Sequence, residues 1–248
     1  MSFKKKIYGT WYNGNGERIR NPKAYAYSIY GRPYKNNYSS KKTGSSISGN
    51  LVLFVNDKFN TNDLKSLISK NNLLYINDIL KNSDLKKNLL VFEISSKKKI
   101  FLISIKDKLK NSDIEKLGAE FYGQLNFGKN KEYSLISDTV NTKYKNFVGH
   151  FLHGCKLKSY EFKKYKTKKN LNTILLNVVG NKNKPTTKEQ SKFKALEEGT
   201  FFARDLVSEP GNVLHPDEYA KRINSLRKHG LKVTIYDQKK LKKLGMNA

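Results

Sequence analysis

Three short, nearly continuous apolar runs limit what this chain can become: LVLFVN at 51–56, NLLVFEIS at 88–95 and KIFLISI at 99–105. Each is shorter than an ordinary helix and apolar at odd and even positions alike, the pattern of a strand buried on both faces. Strands of that kind need helices above and below them, so the fold class to expect is α/β, a mostly parallel mixed sheet flanked by helices. The sequence between and after the runs supplies helical patterns. Ser112 and Glu115 have the spacing of a capping box, with Ile114, Leu117, Phe121 and Leu125 following at helical intervals. A further strand is expected at 133–136 and a long helix at 144–166.

A second unit is expected to begin near Leu171. NTILLNVV (172–179) reads as a buried strand, GNKNKPTT (180–187) as a loop, and 187–208 as a helix with Phe193, Leu196, Thr200, Ala203 and Val207 along one side and Phe202 and Leu206 beside them. That helix must stop at Glu209, because the residue before a proline is driven out of the α region and Gly211 permits a sharp change of direction. Pro216 suits the first turn of the next helix, and Asp217 and Glu218 complement the positive end of its dipole. Gly230 is placed to cap that helix, LKVTIYD (231–237) alternates as a strand, and QKKLKKLGM reads as a short helix closed by Gly245. The expected order is β-α-α-β-α.

The chain has 248 residues, 37% of them hydrophobic, which is enough for a core. Its net charge of +28 raises the question of nucleic acid, since clustered cations release counterions from phosphates. Arginine, however, occurs only at positions 18, 20, 32, 204, 222 and 227, and lysine lacks the bidentate fork of specific phosphate or guanine recognition. The charge therefore speaks to solubility and non-specific association. Residues 1–45 form a basic leader rich in tyrosine (Tyr8, Tyr12, Tyr25, Tyr27, Tyr30, Tyr34, Tyr38) with Glu17 as the only acid. Too few aliphatic residues occur there for a core, so a poorly ordered extension is expected, the alternative being a platform on which bases stack. Gly14 and Gly16 lack the third glycine and preceding strand of a dinucleotide fingerprint. No stretch approaches the roughly 20 apolar residues of a membrane span, and no apolar secretory core follows Met1, so a cytoplasmic location is expected.

Candidate chemistry is sparse. His150, His153 and Cys155 superficially suggest a metal site, but Cys155 lies well around the helix from the histidine pair and no fourth ligand is obvious. As the single cysteine, Cys155 can form no internal disulfide, and nothing supplies it with the base and orienter of a nucleophile. Glu197, Glu198, Asp205 and Glu209 could pass for acid/base pairs, yet Arg204 and Lys194 nearby make ordinary ion pairs the simpler expectation. Lys163, Lys164, Lys166, Lys168 and Lys169 read as a solvated helix face. No catalytic, metal-binding or cofactor-binding residue is assigned.

One resemblance is specific. The stretch ARDLVSEPGNVLHPDEYAKRINSLRKHGLKVTIYDQKKLKKLGM (203–246) resembles the entry to the catalytic domain of the leucyl aminopeptidases, the M17 or cytosol aminopeptidases, in which a segment close to ARDLVNEPPNxLTPxxFA precedes a strand and a KxLGMG-like helix. SYEFKKYKTKK (159–169) resembles the end of that family's interdomain helix. The resemblance covers 159–248 strongly and 50–158 only through architecture, and it implies a macro-domain-like α/β domain (46–143), a linker helix (144–169) and the start of the catalytic domain (170–248); the Tyr-rich, basic extension (1–45) has no counterpart in it. Family members remove amino-terminal residues, often leucine, from peptides with two divalent cations, typically manganese, zinc or magnesium, and assemble as hexamers. Their ligands, one Lys and several Asp/Glu, stand in motifs resembling GKGxTFDxGG and NTDAEGR, neither of which occurs here. The resemblance thus implies the amino-terminal portion of an aminopeptidase, truncated before its metal motifs and inactive alone, with peptide a substrate only of the complete enzyme. A basic nucleic-acid-binding module and a non-catalytic partner subunit of an aminopeptidase are the alternatives. Two further expectations follow: His215, standing where the family has Thr or Ser, should cap its helix poorly, and 171–248 alone should expose apolar sheet edge and helix surface that invite association.

Overall fold

The computed structural model describes residues 11–12, 18–19, 34–39, 49–125, 132–141, 143–166 and 174–246. They divide into two compact units, Met1–Glu198 and Gly199–Ala248.

In the first unit, the strands are β1 (Trp11–Tyr12), β2 (Arg18–Ile19), β3 (Tyr34–Ser39) and β4 (Asn50–Asn56), followed by helix α1 (Lys70–Lys81). Then come β5 (Leu89–Ser95), β6 (Lys98–Ile105), α2 (Asn111–Gly123), β7 (Glu132–Ile136), α3 (Phe147–Lys158), β8 (Ile174–Val179) and the start of α4 (Thr187–Ser208). β1 and β2 form a small antiparallel pair; the main sheet has the order β3-β8-β7-β4-β6-β5. Only the β5–β6 pairing in it is antiparallel. The apolar runs behave as their composition requires. Along β4, Val52 and Phe54 face one side with Phe101 and Ile103 of β6, and Leu51, Leu53 and Val55 face the other with Ile100 and Leu102. Each face is covered: α2 and α3 pack on the first through Leu117, Phe121, Phe151 and Leu152, and α1 on the second through Leu73, Ile76 and Leu80. Phe54 stands edge-on to Phe147 and to Phe151, with both ring centroids 5.3 Å away, an arrangement aromatic quadrupoles favour.

The helices α2 and α3 meet at two glycines. A β-carbon on Gly118 would lie 2.0 Å from the carbonyl oxygen of Phe151, and one on Gly154 would lie 1.9 Å from that of Glu115. Nothing larger than hydrogen fits at either position.

Several expectations require correction. The strand at 172–179 does not open a second unit: β8 lies in the interior of the first sheet between β7 and β3, where Ile174, Leu176 and Val178 are fully buried with α2 and α3. An apolar run needs pairing on both edges, and the neighbour on one edge comes from the leader, since Tyr34–Ser39 forms β3 parallel to it. Within 1–45 the described residues are those of β1, β2 and β3; the rest of 1–45 lies outside the described residues. The helix expected over 144–166 is α3, from 147 to 158 only, with Ser159 closing it through Oγ to the Lys156 carbonyl and its eight core residues buried as part of the first unit. The capping box of α2 is shifted: Asp113, not the Ser112/Glu115 pair, caps the start by accepting the Lys110 N–H at 2.8 Å.

The second unit holds the rest of α4, helix α5 (Pro216–Asn224), the 3-10 turn Ser225–His229 and helix α6 (Gln238–Lys243). Pro216 is at the first turn of α5 as expected, and His215 makes no side-chain cap. Gly230 (φ +84°) and Gly245 (φ +72°) end the elements before them in the left-handed region. The strand expected at 231–237 is absent. A strand needs a neighbour to accept its ladder, and no strand exists among the described residues of this unit. Instead the segment runs irregularly, tethered where Arg227 Nε donates to the Val233 carbonyl at 3.0 Å, and leaves Leu231, Ile235 and Tyr236 exposed.

Candidate functional site

The turn between α4 and α5 is the part of the second unit with the most organised polar chemistry. Pro210 cannot continue α4, and its carbonyl instead accepts the N–H groups of Val213 and Leu214, both at 2.9 Å, to close a compact turn. The chain re-enters helix at Pro216. This reversal brings Glu209, the residue after α4, against α5, where its carboxylate, 1% exposed, accepts from Arg222 Nη1 at 2.7 Å. Arg222 Nε donates in turn to Glu218 Oε1 at 3.0 Å, one helical turn earlier. The hydrogen bond from Arg222 holds the Glu218 carboxyl below the usual carboxylate range. One guanidinium thus clamps two carboxylates, the use for which its planar fork is suited.

This clamp commits the Glu209 carboxylate to a structural contact with Arg222. Sequence reasoning placed Glu209 among helix-surface ion pairs with Arg204 or Lys194 nearby; the partner is Arg222. The four-residue spacing of Glu218 and Arg222 was a readable signal, whereas nothing local announces a contact across thirteen residues.

In the first unit, the histidines of α3 diverge. Nδ1 of His150 lies 2.9 Å from Oε1 of Glu115 on α2, and Nδ1 of His153 lies 3.3 Å from Oε1 of Glu197 on α4. The Phe193 ring sits beside both, with centroid separations of 5.0 and 5.1 Å. Cys155 is fully buried and its Sγ contacts the Gly118 carbonyl at 3.1 Å, in the tight α2–α3 seam. The three donors therefore point to three different partners, and among the described residues no group of three or more His, Cys, Asp or Glu side chains converges. Two divalent cations do not fit this donor set. Glu197 is the partner of His153 and not of a neighbouring lysine. Of the basic run, Lys163, Lys164 and Lys166 follow α3 in irregular chain, with Lys163 paired to Glu161; Lys168 and Lys169 lie outside the described residues. No helix among the described residues is long and apolar enough to cross a membrane.

Comparison with known proteins converges on one family. The sequence model of the cytosol aminopeptidase family, catalytic domain, matches residues 201–248, the stretch that holds the Glu209–Arg222 clamp. The chain is 34% identical over 145 residues to a probable cytosol aminopeptidase of Bradyrhizobium sp., covering 55% of this chain and 28% of that protein. It is 40% identical over 104 residues to one from Agrobacterium fabrum, covering 40% and 21%, and 36% identical over 117 residues to one from Phytoplasma mali, covering 45% and 23%. The chain thus spans about a quarter of the length of these relatives. Among solved structures, a mutant of tomato leucine aminopeptidase superposes with a TM-score of 0.59 at 17% identity, over 86% of this chain and 46% of that one. The bottromycin maturation enzyme BotP in complex with Mn superposes with a TM-score of 0.55 at 14% identity, over 79% and 40%. At these identities the structural likeness establishes the shared fold.

Proposed function

We propose that this chain is a member of the cytosol aminopeptidase family and carries the amino-terminal α/β domain and the entrance to the catalytic domain of an enzyme that removes amino-terminal residues from peptides. The observation that carries the reading is the coincidence of the family match at 201–248 with a built, internally satisfied turn whose buried carboxylate is structural. In this reading the α4–turn–α5 segment is scaffold. In the complete enzyme two bound cations would supply the electrophilic chemistry of hydrolysis, and the donor set among the described residues does not fit them. The sequence holds neither GKGxTFDxGG-like nor NTDAEGR-like ligand motifs, and the carboxylates Glu197 and Glu209 are already committed to His153 and Arg222. No catalytic step is therefore assigned to residues of this chain, and the 248 residues alone are inactive on peptides.

The test is direct. The purified 248-residue chain is incubated with leucine p-nitroanilide and with leucyl peptides, with added Mn²⁺, Zn²⁺ or Mg²⁺. Release of product at the rate of buffer alone is expected. Metal-dependent release that a chelator abolishes overturns the reading.

A further inference from the structure

The main sheet has two edges of opposite character. β3, YKNNYS, is polar, whereas β5, LLVFEIS, is apolar along most of its length. The inner side of β5 is fixed by β6: the Ser104 N–H donates to the Asn88 carbonyl at 2.8 Å, and the antiparallel register runs Leu89↔Ile103, Leu90↔Leu102, Val91↔Phe101, Phe92↔Ile100. Hydrogen-bonded and non-hydrogen-bonded pairs alternate along such a ladder. Leu90 and Phe92 therefore bond to β6 as Asn88 does, and the N–H and carbonyl groups of Leu89, Val91 and Glu93 point out of the sheet. Among the described residues no hydrogen bond takes up these outward groups.

An edge of this kind is a template for another strand unless proline, a bulge or a covering element blunts it. The register shifts between Glu93 and Ser95, so a bulge ends the regular edge there. Before the bulge nothing blunts it, and both Val91 and Leu85, in the turn that leads into β5, are exposed. What remains is a short open run with Lys87 at its entry and Glu93 at its exit.

The order of side chains along that run selects the occupant. Lys87, Leu89, Val91 and Glu93 stand two residues apart and so belong to one face of the sheet, the face covered by α2 and α3, on whose core Leu89 packs. Read toward the carboxyl end they are cation, apolar, apolar, anion. An identical strand laid antiparallel reads anion, apolar, apolar, cation, so Lys87 meets Glu93 of the second copy, Leu89 meets Val91, and each pair recurs across the two-fold axis. Leu89 and Val91 of each copy then exchange both backbone bonds with Val91 and Leu89 of the other. On the opposite face the half-buried Leu90 meets Leu90 of the second copy on the axis and extends the apolar layer under α1. Glu93 already pairs with Lys99 of its own chain, and its two oxygens have capacity for a second ammonium. An unrelated extended peptide would gain the backbone bonds without the two ion pairs, and β3 of another copy would bring a polar strand in a contact that does not close. We propose that β5 is a dimerisation edge on which two copies of this chain pair antiparallel about a two-fold axis at Leu90, joining their main sheets into one. Such a contact consumes the edge it uses and stops at two copies. It belongs to the first unit and holds whether or not the complete protein cleaves peptides.

Sedimentation velocity of the 248-residue chain, from about 10 µM to about 1 mM, is expected to show a discrete monomer–dimer equilibrium. Glu93→Lys, at an exposed edge position, sets like charges opposite each other on both sides of the axis and should weaken the dimer about tenfold. Adding Lys87→Glu to the same chain restores the cation–anion order in reverse, and should return the affinity to within about threefold of the original. That rescue is a readout that a merely local loss of stability at Glu93 would not give. A chain that stays monomeric at about 1 mM, as it would if the edge served some other extended segment, overturns the proposal. So does an open series of oligomers in place of a dimer, an affinity untouched by Glu93→Lys, or a charge-swapped chain that associates no more tightly than the Glu93→Lys chain.

Discussion

Glu209 and Arg222 form a buried ion pair across the Pro210 turn, with 2.7 Å between carboxylate and guanidinium and the carboxylate almost wholly removed from solvent. Neither residue lies in regular structure shared with the other, so the pair fixes the angle at which α5 returns along the chain. Removing one member of such a pair costs more than the pair contributes, because the survivor stays buried and charged. Arg222→Ala is accordingly expected to destabilise the second unit by about 3 kcal/mol, the lower end of the usual range since Arg222 remains partly exposed. Glu209→Gln keeps a hydrogen-bond acceptor and should cost less. Urea denaturation followed by far-ultraviolet circular dichroism separates the two, and equal losses would show that the charge is not what matters.

The α2–α3 seam predicts an asymmetry among glycines. Gly118→Ala and Gly154→Ala drive a β-carbon into backbone of the facing helix, where no side chain can yield, and each should cost about 3 kcal/mol or more. Gly199→Ala meets nothing within 4 Å inside α4 and should stabilise by roughly 0.5–1 kcal/mol through helix propensity. Thermal melts of the three variants check both signs.

Tyr122, on α2, has its phenol pushed well above the ordinary value of 10.0, first by desolvation and then by the negative charge of Glu161. The folded state thus favours the neutral phenol. The stability this gives is fully present below pH 10 and falls as the pH rises beyond it, since the unfolded chain then releases a proton that the folded chain keeps. Absorbance at the tyrosinate band should show one phenol that ionises only as the near-ultraviolet dichroism is lost. Tyr122→Phe should remove that coupling.

Residues 231–237 leave Leu231, Ile235 and Tyr236 exposed without a ladder partner among the described residues of their unit. Such a segment recruits other chains. Leu231→Lys combined with Tyr236→Lys should lower self-association in sedimentation runs and lower binding of a hydrophobic dye, with the melting of the first unit unchanged. Unaltered association would place the sticky surface elsewhere.

The strands of the first unit were legible because LVLFVN and KIFLISI are apolar at odd and even positions alike, a pattern that two-sided burial explains. Sheet membership was not legible. β8 reads identically whether it starts a new sheet or completes an old one, and its partner β3, YKNNYS, carries no apolar periodicity at all; parallel pairing through backbone groups leaves no mark in side chains. The 231–237 run erred in the opposite direction, since its alternation was real and its neighbour was missing. At the candidate site, the Pro210 turn followed from Pro and Gly rules, but Arg222 reaching Glu209 did not, and the open edge at β5 arises from the order of strands, which no local window contains.

The pairing of Tyr34 with Ile174 carries a consequence for biosynthesis. During vectorial translation β3 emerges first of the main sheet and must remain idle while β4 to β7 are made, because β8, which it joins, is the last described strand of that sheet to leave the ribosome. Until then β7 presents a bare edge, so the nascent chain passes through a stage at which the central sheet is half finished and open to improper partners. Speed of synthesis between those two segments therefore bears directly on the yield of correctly assembled protein.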